Sequence, residues 1–171
     1  MKKLSAAIIL ASLLVLVPFQ SQAAWYDPES LARWAGCRAD VQVEPTRSVL
    51  GSHYHPGYAI LHIGTATDVP LAHRIIITFH EIGHCLQDQA GHLNYGGPFA
   101  NLVEVELDAD RQAADLACRY GLDGRRMLHD IFVWAKQTFG YTGDDAHGTV
   151  EQRISQGDLA EACQPVLAQS P

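Results

Sequence analysis

The stretch Ile75-Ile76-Ile77-Thr78-Phe79-His80-Glu81-Ile82-Gly83-His84 limits this chain more than any other. On an α-helix each residue advances by about 100°, so His80 and His84 lie about 40° and about 6 Å apart along one face. Their imidazoles leave that face one turn apart and can grip a single Zn²⁺. Glu81 stands about 100° round from His80, too far to complete the pair, and is placed to reach a water beside the metal. The apolar run before His80 predicts a buried helix, in which two desolvated histidines need a partner. Two core histidines one turn apart are the plainer alternative, since nine histidines in 171 residues leave room for coincidence.

A third ligand must come from elsewhere. In the metzincin pattern a Gly follows the second histidine by three residues and a His by six. Here those positions are Gln87 and Ala90, and His92 comes two residues too late. Glu106 is the better candidate, in the run Glu104-Val105-Glu106-Leu107-Asp108-Ala109-Asp110. Glu106 and Asp110 share a helical face at i, i+4. Glu106 would bind the metal, and Asp110 would accept a hydrogen bond from the distal N–H of a ligand histidine, fixing its tautomer. Glu104, Asp108 and Asp110 are the alternative ligands, and a solvated acidic face is what such a cluster means without a metal.

His-Glu-Ile-Gly-His at 80–84, followed by Glu-Leu-Asp-Ala-Asp-Arg-Gln-Ala at 106–113, resembles the gluzincin metallopeptidases. The likeness is to the CAAX-prenyl-protease and heat-shock membrane protease family, whose second helix reads E-x-x-A-D. The segment from His147 to Ile154 is similar to that family's late H-P-x-x-x-x-R-I, with Gly148 in place of Pro. The chain lacks the family's membrane helices and has a shorter gap from His84 to Glu106, as in the small single-domain minigluzincins. The resemblance covers about residues 70–155. It implies an α+β, mostly helical zincin-like domain, with the active-site helix and the glutamate helix beside a small β-sheet. It also implies that an edge strand of that sheet, here 59–64, pairs with extended peptide, and that His147 and Arg153 serve the site, one facing substrate and one bracing it.

Residues 1–23 read as a signal peptide: Lys2 and Lys3, a 14-residue apolar run over 4–17, then Ser21-Gln22-Ala23 as a small-x-small cleavage site. Fourteen residues fall short of the roughly 20 needed to span a bilayer. The expected mature protein is one domain over residues 24–171, periplasmic or secreted, with no stable membrane insertion. Removing Lys2 and Lys3 from the 12 basic residues leaves ten against 19 acidic ones, a net charge of −9. So acidic a surface argues against nucleic acid as a partner. The sequence carries no oligomer signal.

Cys37, Cys85, Cys118 and Cys163 make an even count, as expected for an exported chain with two disulfides. If Cys118 continues the Glu106 helix it lies about 18 Å beyond that ligand, whereas Cys85 adjoins His84. Of the three possible connectivities this disfavours the one with Cys85–Cys118, and of the two left Cys37–Cys85 with Cys118–Cys163 is the expected pairing.

Capping residues place the remaining elements. Asp27-Pro28 opens a helix to about Gly36, strands are expected near 41–43 and 59–63, and Thr67 or Asp68 is expected to cap the metal helix. Asn101 and Asp123 begin two further helices, and Thr149 with Gln152 forms a capping box. Asp158 is read as the start of a last short helix. On the helix after Asp123, the stripe Met127, Ile131, Trp134 and Ala135 reads as core. His53 and His55, as H-x-H on one strand face, are a weaker second metal candidate.

The expected function is a zinc metallopeptidase with one Zn²⁺ per chain on His80, His84 and Glu106. Glu81 is the general base, a peptide or protein is the substrate, and His147, Arg153 or Tyr141 stabilises the oxyanion. A non-catalytic module stapled by zinc, or a zinc hydrolase acting on a non-peptide amide, are the competing readings. A structural zinc takes four protein ligands and a catalytic one leaves a position open, so the ligand count separates the first of these.

Overall fold

The computed structural model describes residues 26–93 and 101–163. The expected signal peptide at 1–23 lies outside the described residues. The fold is α+β: five α-helices, a mixed three-stranded sheet and a two-stranded ribbon among the described residues. One cluster of buried apolar side chains runs through it from Leu31 to Ala160.

Helix α1 (Pro28–Ala35) starts as its residues dictate. Asp27 accepts the Glu29 amide and Pro28 takes the first turn. Gly36 closes it at φ 87°, a left-handed conformation that glycine enters without cost. Strands β1 (Asp40–Glu44), β2 (His53–His55) and β3 (Ile60–Gly64) form a sheet in the order β1-β3-β2. β1 runs parallel to β3, with Val41 opposite Leu61, and β2 runs antiparallel, with Tyr54 opposite Leu61. Leu61 and Ile63 point into the core and are fully buried. The strand at 60–64 is therefore the centre of the sheet, paired on both sides, and has no free edge for a peptide. The resemblance-based expectation of an edge at 59–64 is corrected: the edges are β1 and β2.

Helix α2 (Leu71–Gln89) carries His80, Glu81 and His84. It begins later than expected. Neither Thr67 nor Asp68 caps it: Pro70 occupies the cap position and no side chain bonds the free amides. Helix α3 (Leu102–Arg119) opens on Asn101, which accepts the Glu104 amide, and carries Glu106 and Asp110. The two helices cross at Gly83, where an added Cβ would lie 3.2 Å from the Ala109 carbonyl oxygen. The glycine inside the histidine motif lets the backbones close until the α3 carboxylates reach the α2 imidazoles.

Helix α4 (Gly124–Phe139) is capped by Asp123, and Gly140 ends it at φ 69°. The ribbon β4 (Gly143–Asp144) and β5 (Gly148–Thr149) leads into α5 (Val150–Leu159), whose Thr149 and Gln152 make the expected reciprocal capping box. Asp158 does not start a helix. It sits in the last turn of α5, 3.3 Å from Arg125, and a short 3-10 turn (Glu161–Cys163) follows.

The disulfides are Cys37–Cys85 and Cys118–Cys163, the expected pairing. The first ties the end of α1 to the metal helix one residue after His84. The second ties α3 to the turn after α5. Cys37–Cys85 joins residues 48 apart, and loop-closure entropy of that size stabilises by roughly 2–5 kcal/mol. We expect the unfolded, unreduced protein to show no free thiol, and Cys37→Ser/Cys85→Ser to lose that much in urea unfolding. Two titratable thiols without reductant would contradict the pairing.

Candidate metal centre

His80, His84 and Glu106 meet at one point. His80 Nε2 lies 3.1 Å from His84 Nε2 and 3.1 Å from a Glu106 oxygen, and His84 Nε2 lies 3.4 Å from the other Glu106 oxygen. A tetrahedral ion with bonds of about 2.0–2.1 Å needs donors about 3.3–3.4 Å apart, and one donor atom from each of the three residues lies within 4.8 Å of the others, close enough for the group to hold one cation. No fourth His, Cys, Asp or Glu joins the group among the described residues. The three side chains can hold a metal ion and leave one coordination position open.

The alternative ligands are placed elsewhere. Glu104 is exposed in the first turn of α3. Asp108 takes Gln87, Gln112 and Arg111 as partners. His53 stacks on His62 at 4.7 Å, and His55 meets Tyr58 instead. The H-x-H pair thus makes no metal cluster.

Each ligand histidine is held from behind. His80 Nδ1 lies 2.9 Å from Asp110 Oδ1, the arrangement expected from the i, i+4 spacing of Glu106 and Asp110. His84 Nδ1 lies 2.9 Å from Gln87 Oε1. Gln87 is fully buried and donates in turn to the Val105 carbonyl and to Asp108. Sequence reasoning missed this role for Gln87. A polar residue three positions after His84, on the buried side of the helix, was the signal that could have found it.

Asp110 is 1 % exposed and also accepts two bonds from Arg153, Nε at 2.6 Å and Nη2 at 2.9 Å. Arg153 further lies 3.8 Å from Glu106 and stacks over the Phe132 ring at 4.5 Å. Its guanidinium is committed to these partners, so it braces the centre. His147 lines the same cleft at 44 % side-chain exposure, with Nδ1 2.8 Å from Asp144 Oδ1. Glu81 is 9 % exposed, and its Oε2 accepts the Tyr54 amide of β2 at 2.9 Å. That bond aims the carboxylate into the cleft and fixes the sheet to α2.

The cleft encloses about 390 Å³. Leu50, Ser52, His53 and Tyr54 form one wall. Leu128, Ile131, Phe132 and Ala135 of α4 form the other, with Ile76 and Ile77 of α2 adjoining. Of the stripe read as core on α4, Ile131 is in the core with Met127 and Trp134 packed against it, and Ile131 and Ala135 also line the cleft.

Burial would lower the His80 pKa, but the hydrogen bonds to Asp110 and Glu106 override it and raise it to about 10. Burial would raise Glu106, yet the two histidines hold its carboxyl well below the usual range. Asp110 is likewise held low against burial, by His80 and Arg153. With no ion bound, His80 and the two carboxylates favour one another's charged forms.

No protein-family model, curated protein or solved structure matches this chain.

The pH dependence of the metal-free protein follows. The lowered Glu106 and Asp110 contribute fully above the ordinary carboxylate range of about 4 and lose that contribution as pH falls further. The raised His80 contributes fully below about 6.5 and loses it as pH rises through about 10. The stability difference between the wild type and His80→Gln, both stripped of metal, should peak at roughly pH 4.5–6.5 and shrink on both sides. A flat difference from pH 4 to 10 in urea titrations would refute this reading of the cluster.

Proposed function

We propose that this protein is an exported zinc metallopeptidase of the gluzincin kind. The observation that carries the reading is the three-donor triangle of His80, His84 and Glu106 beside a Glu81 carboxylate fixed by the Tyr54 amide. Two imidazoles and one carboxylate converging on one point suit Zn²⁺ among the common divalent ions. A centre with three protein ligands leaves a position for water, which is the catalytic arrangement and not the structural one. The two disulfides already tie α1 and α3 into the fold, which further weakens the case for zinc as a staple. They also support export, since such bonds persist in oxidising compartments.

Zinc, when bound, supplies Lewis-acid polarisation of the scissile carbonyl and lowers the pKa of water. Glu81 accepts a proton from the attacking water as its oxygen bonds to the carbonyl carbon. The same carboxyl then delivers that proton to the leaving nitrogen as the C–N bond breaks. Asp110 and Gln87 hold the two imidazoles with Nε2 toward the cluster, and Arg153 keeps Asp110 ionised. His147, with one ring nitrogen anchored on Asp144, is the proposed donor to the developing oxyanion, with Tyr141 beside it in the cleft.

The purified protein should carry about one Zn²⁺ per chain, lost in His80→Ala, His84→Ala and Glu106→Ala. Glu81→Gln keeps the size of the side chain but cannot take a proton near neutral pH. It should retain zinc and melting temperature while peptide hydrolysis falls on the order of 10²–10⁴-fold. Wild-type cleavage by Glu81→Gln with zinc in place rejects the mechanism. Joint loss of zinc and stability would make Glu81 a ligand.

A further inference from the structure

Glu81 is held from outside its own helix. Its Oε2 accepts the Tyr54 amide at 2.9 Å, and that amide belongs to a strand of only 3 residues. A strand so short has few ladder bonds to fix where it lies. Tyr54 adds a second attachment to α2: its hydroxyl donates to Asp88 Oδ2 at 2.6 Å. Glu81 and Asp88 are seven residues apart on α2, close to two full turns, so they share one face about 10.5 Å apart along the axis. One tyrosine therefore spans two carboxylates of the metal helix, with its amide on the first and its phenol on the second. The helix itself does not favour Asp88. That residue stands in the last turn of α2, where the negative end of the helix dipole disfavours an anion. Tyr54 is buried, and Leu61 opposite it on β3 is fully buried, so the ring is packed in one place. Burial, with Asp88 beside it, pushes the phenol pKa up, and the hydroxyl stays a donor.

We propose that Tyr54 and Asp88 are a pair of positioning residues for Glu81. The phenol–carboxylate bond sets β2 along α2, and the Tyr54 amide in turn ties one Glu81 oxygen and leaves the other for the reacting water. The inference rests on the peptidase reading for the chemistry of Glu81, and on these two hydrogen bonds alone for its placement. A carboxylate with one oxygen tied gives up the rotamer freedom a free glutamate keeps. Misplacing a reacting group by about 1 Å costs on the order of 10²-fold in rate. A hydrogen bond two turns from Glu81 thus reaches the reaction through the strand that carries the amide.

The test uses the zinc-loaded protein, with amide hydrogen exchange followed by NMR beside peptide cleavage. Asp88→Ala removes the acceptor and keeps Tyr54, Asp88→Asn keeps an acceptor oxygen, and Tyr54→Phe keeps the ring without its hydroxyl. Each variant is checked for one zinc per chain. Exchange of the residue-54 amide should quicken at least about tenfold in Asp88→Ala and in Tyr54→Phe, and Asp88→Asn should recover most of that protection. Cleavage should follow the same order, with kcat falling about 10- to 100-fold in the first two and KM nearly unchanged. Made in the Glu81→Gln background, the same two substitutions should leave the residual rate nearly as it was, because no base remains to be placed. Tyr54→Phe decides alone if Asp88→Ala misfolds. Unchanged exchange overturns the pair. So does loss of zinc in both variants, faster exchange with an undiminished kcat, or a rate loss of equal size with and without Glu81. Faster exchange beside a wild type that cleaves no peptide leaves the positioning pair standing and sinks the peptidase reading. Unchanged exchange beside a wild type that cleaves does the reverse.

Discussion

The Asp110 carboxylate is the point on which the centre depends. A charge with 1 % exposure survives only if it is paired and its lone pairs are filled. Asp110 meets that demand with Arg153 from α5 and His80 from α2, so three helices converge on one side chain. Removing one partner of such a buried pair costs about 3–5 kcal/mol, because the other charge is left stranded. The candidate ligands are complete by Glu106, yet the carboxylate behind His80 takes its second charged partner from residue 153. A stable centre therefore needs α5, whose capping box at Thr149 and Gln152 fixes where the helix carrying Arg153 begins.

The two histidines are held by chemically different groups. His80 leans on a carboxylate, which increases its electron donation and favours its charged form. His84 leans on the neutral Gln87 amide, which fixes its ring without adding charge. Gln87 is itself clamped by the Val105 carbonyl and by Asp108 on α3, so the second histidine is oriented through the same helix crossing that brings Glu106 in. Both depend on the close approach at Gly83. A bulkier residue there would separate α2 from α3 and loosen the triangle from both ends at once.

Much of this was legible in the sequence, and the misses have physical reasons. The helical positions of His80, Glu81 and His84 follow from spacing alone. So does the face shared by Glu106 and Asp110, because i, i+4 geometry is local. Helix rise spoke against one of the three disulfide connectivities, since 12 residues of α3 separate Cys118 from Glu106, and did not choose between the other two. Strand order was not legible. Alternation at 59–63 marks a strand but not its neighbours, and β2 is only three residues long amid Gly and Pro, too short for a period to show. The α2 start was misjudged because Thr67 and Asp68 are good caps by type, whereas Pro70 fixes where the helix begins. On α4 the period was right: Ile131 lies in the core with Met127 and Trp134 packed against it, and Leu128 and Phe132 join the same cluster, so the apolar face is wider than the stripe read from the sequence.

Charge balance connects the geometry to the proposed chemistry. Glu81, Glu106 and Asp110 bring three negative charges into a mostly buried volume, and Arg153 brings one positive. A divalent cation with both histidines neutral supplies the remaining two, so the loaded centre is neutral overall. A buried site with net charge would carry a large desolvation cost, which favours a divalent over a monovalent occupant. Under the proposed reaction, a proton passing from water to Glu81 shifts one negative charge from that carboxylate toward the substrate oxygen and leaves the total unchanged. The cleft then never holds an uncompensated charge. His147 and Tyr141 need only stabilise a charge that has moved a few ångströms, which is the situation in which preorganised donors contribute most.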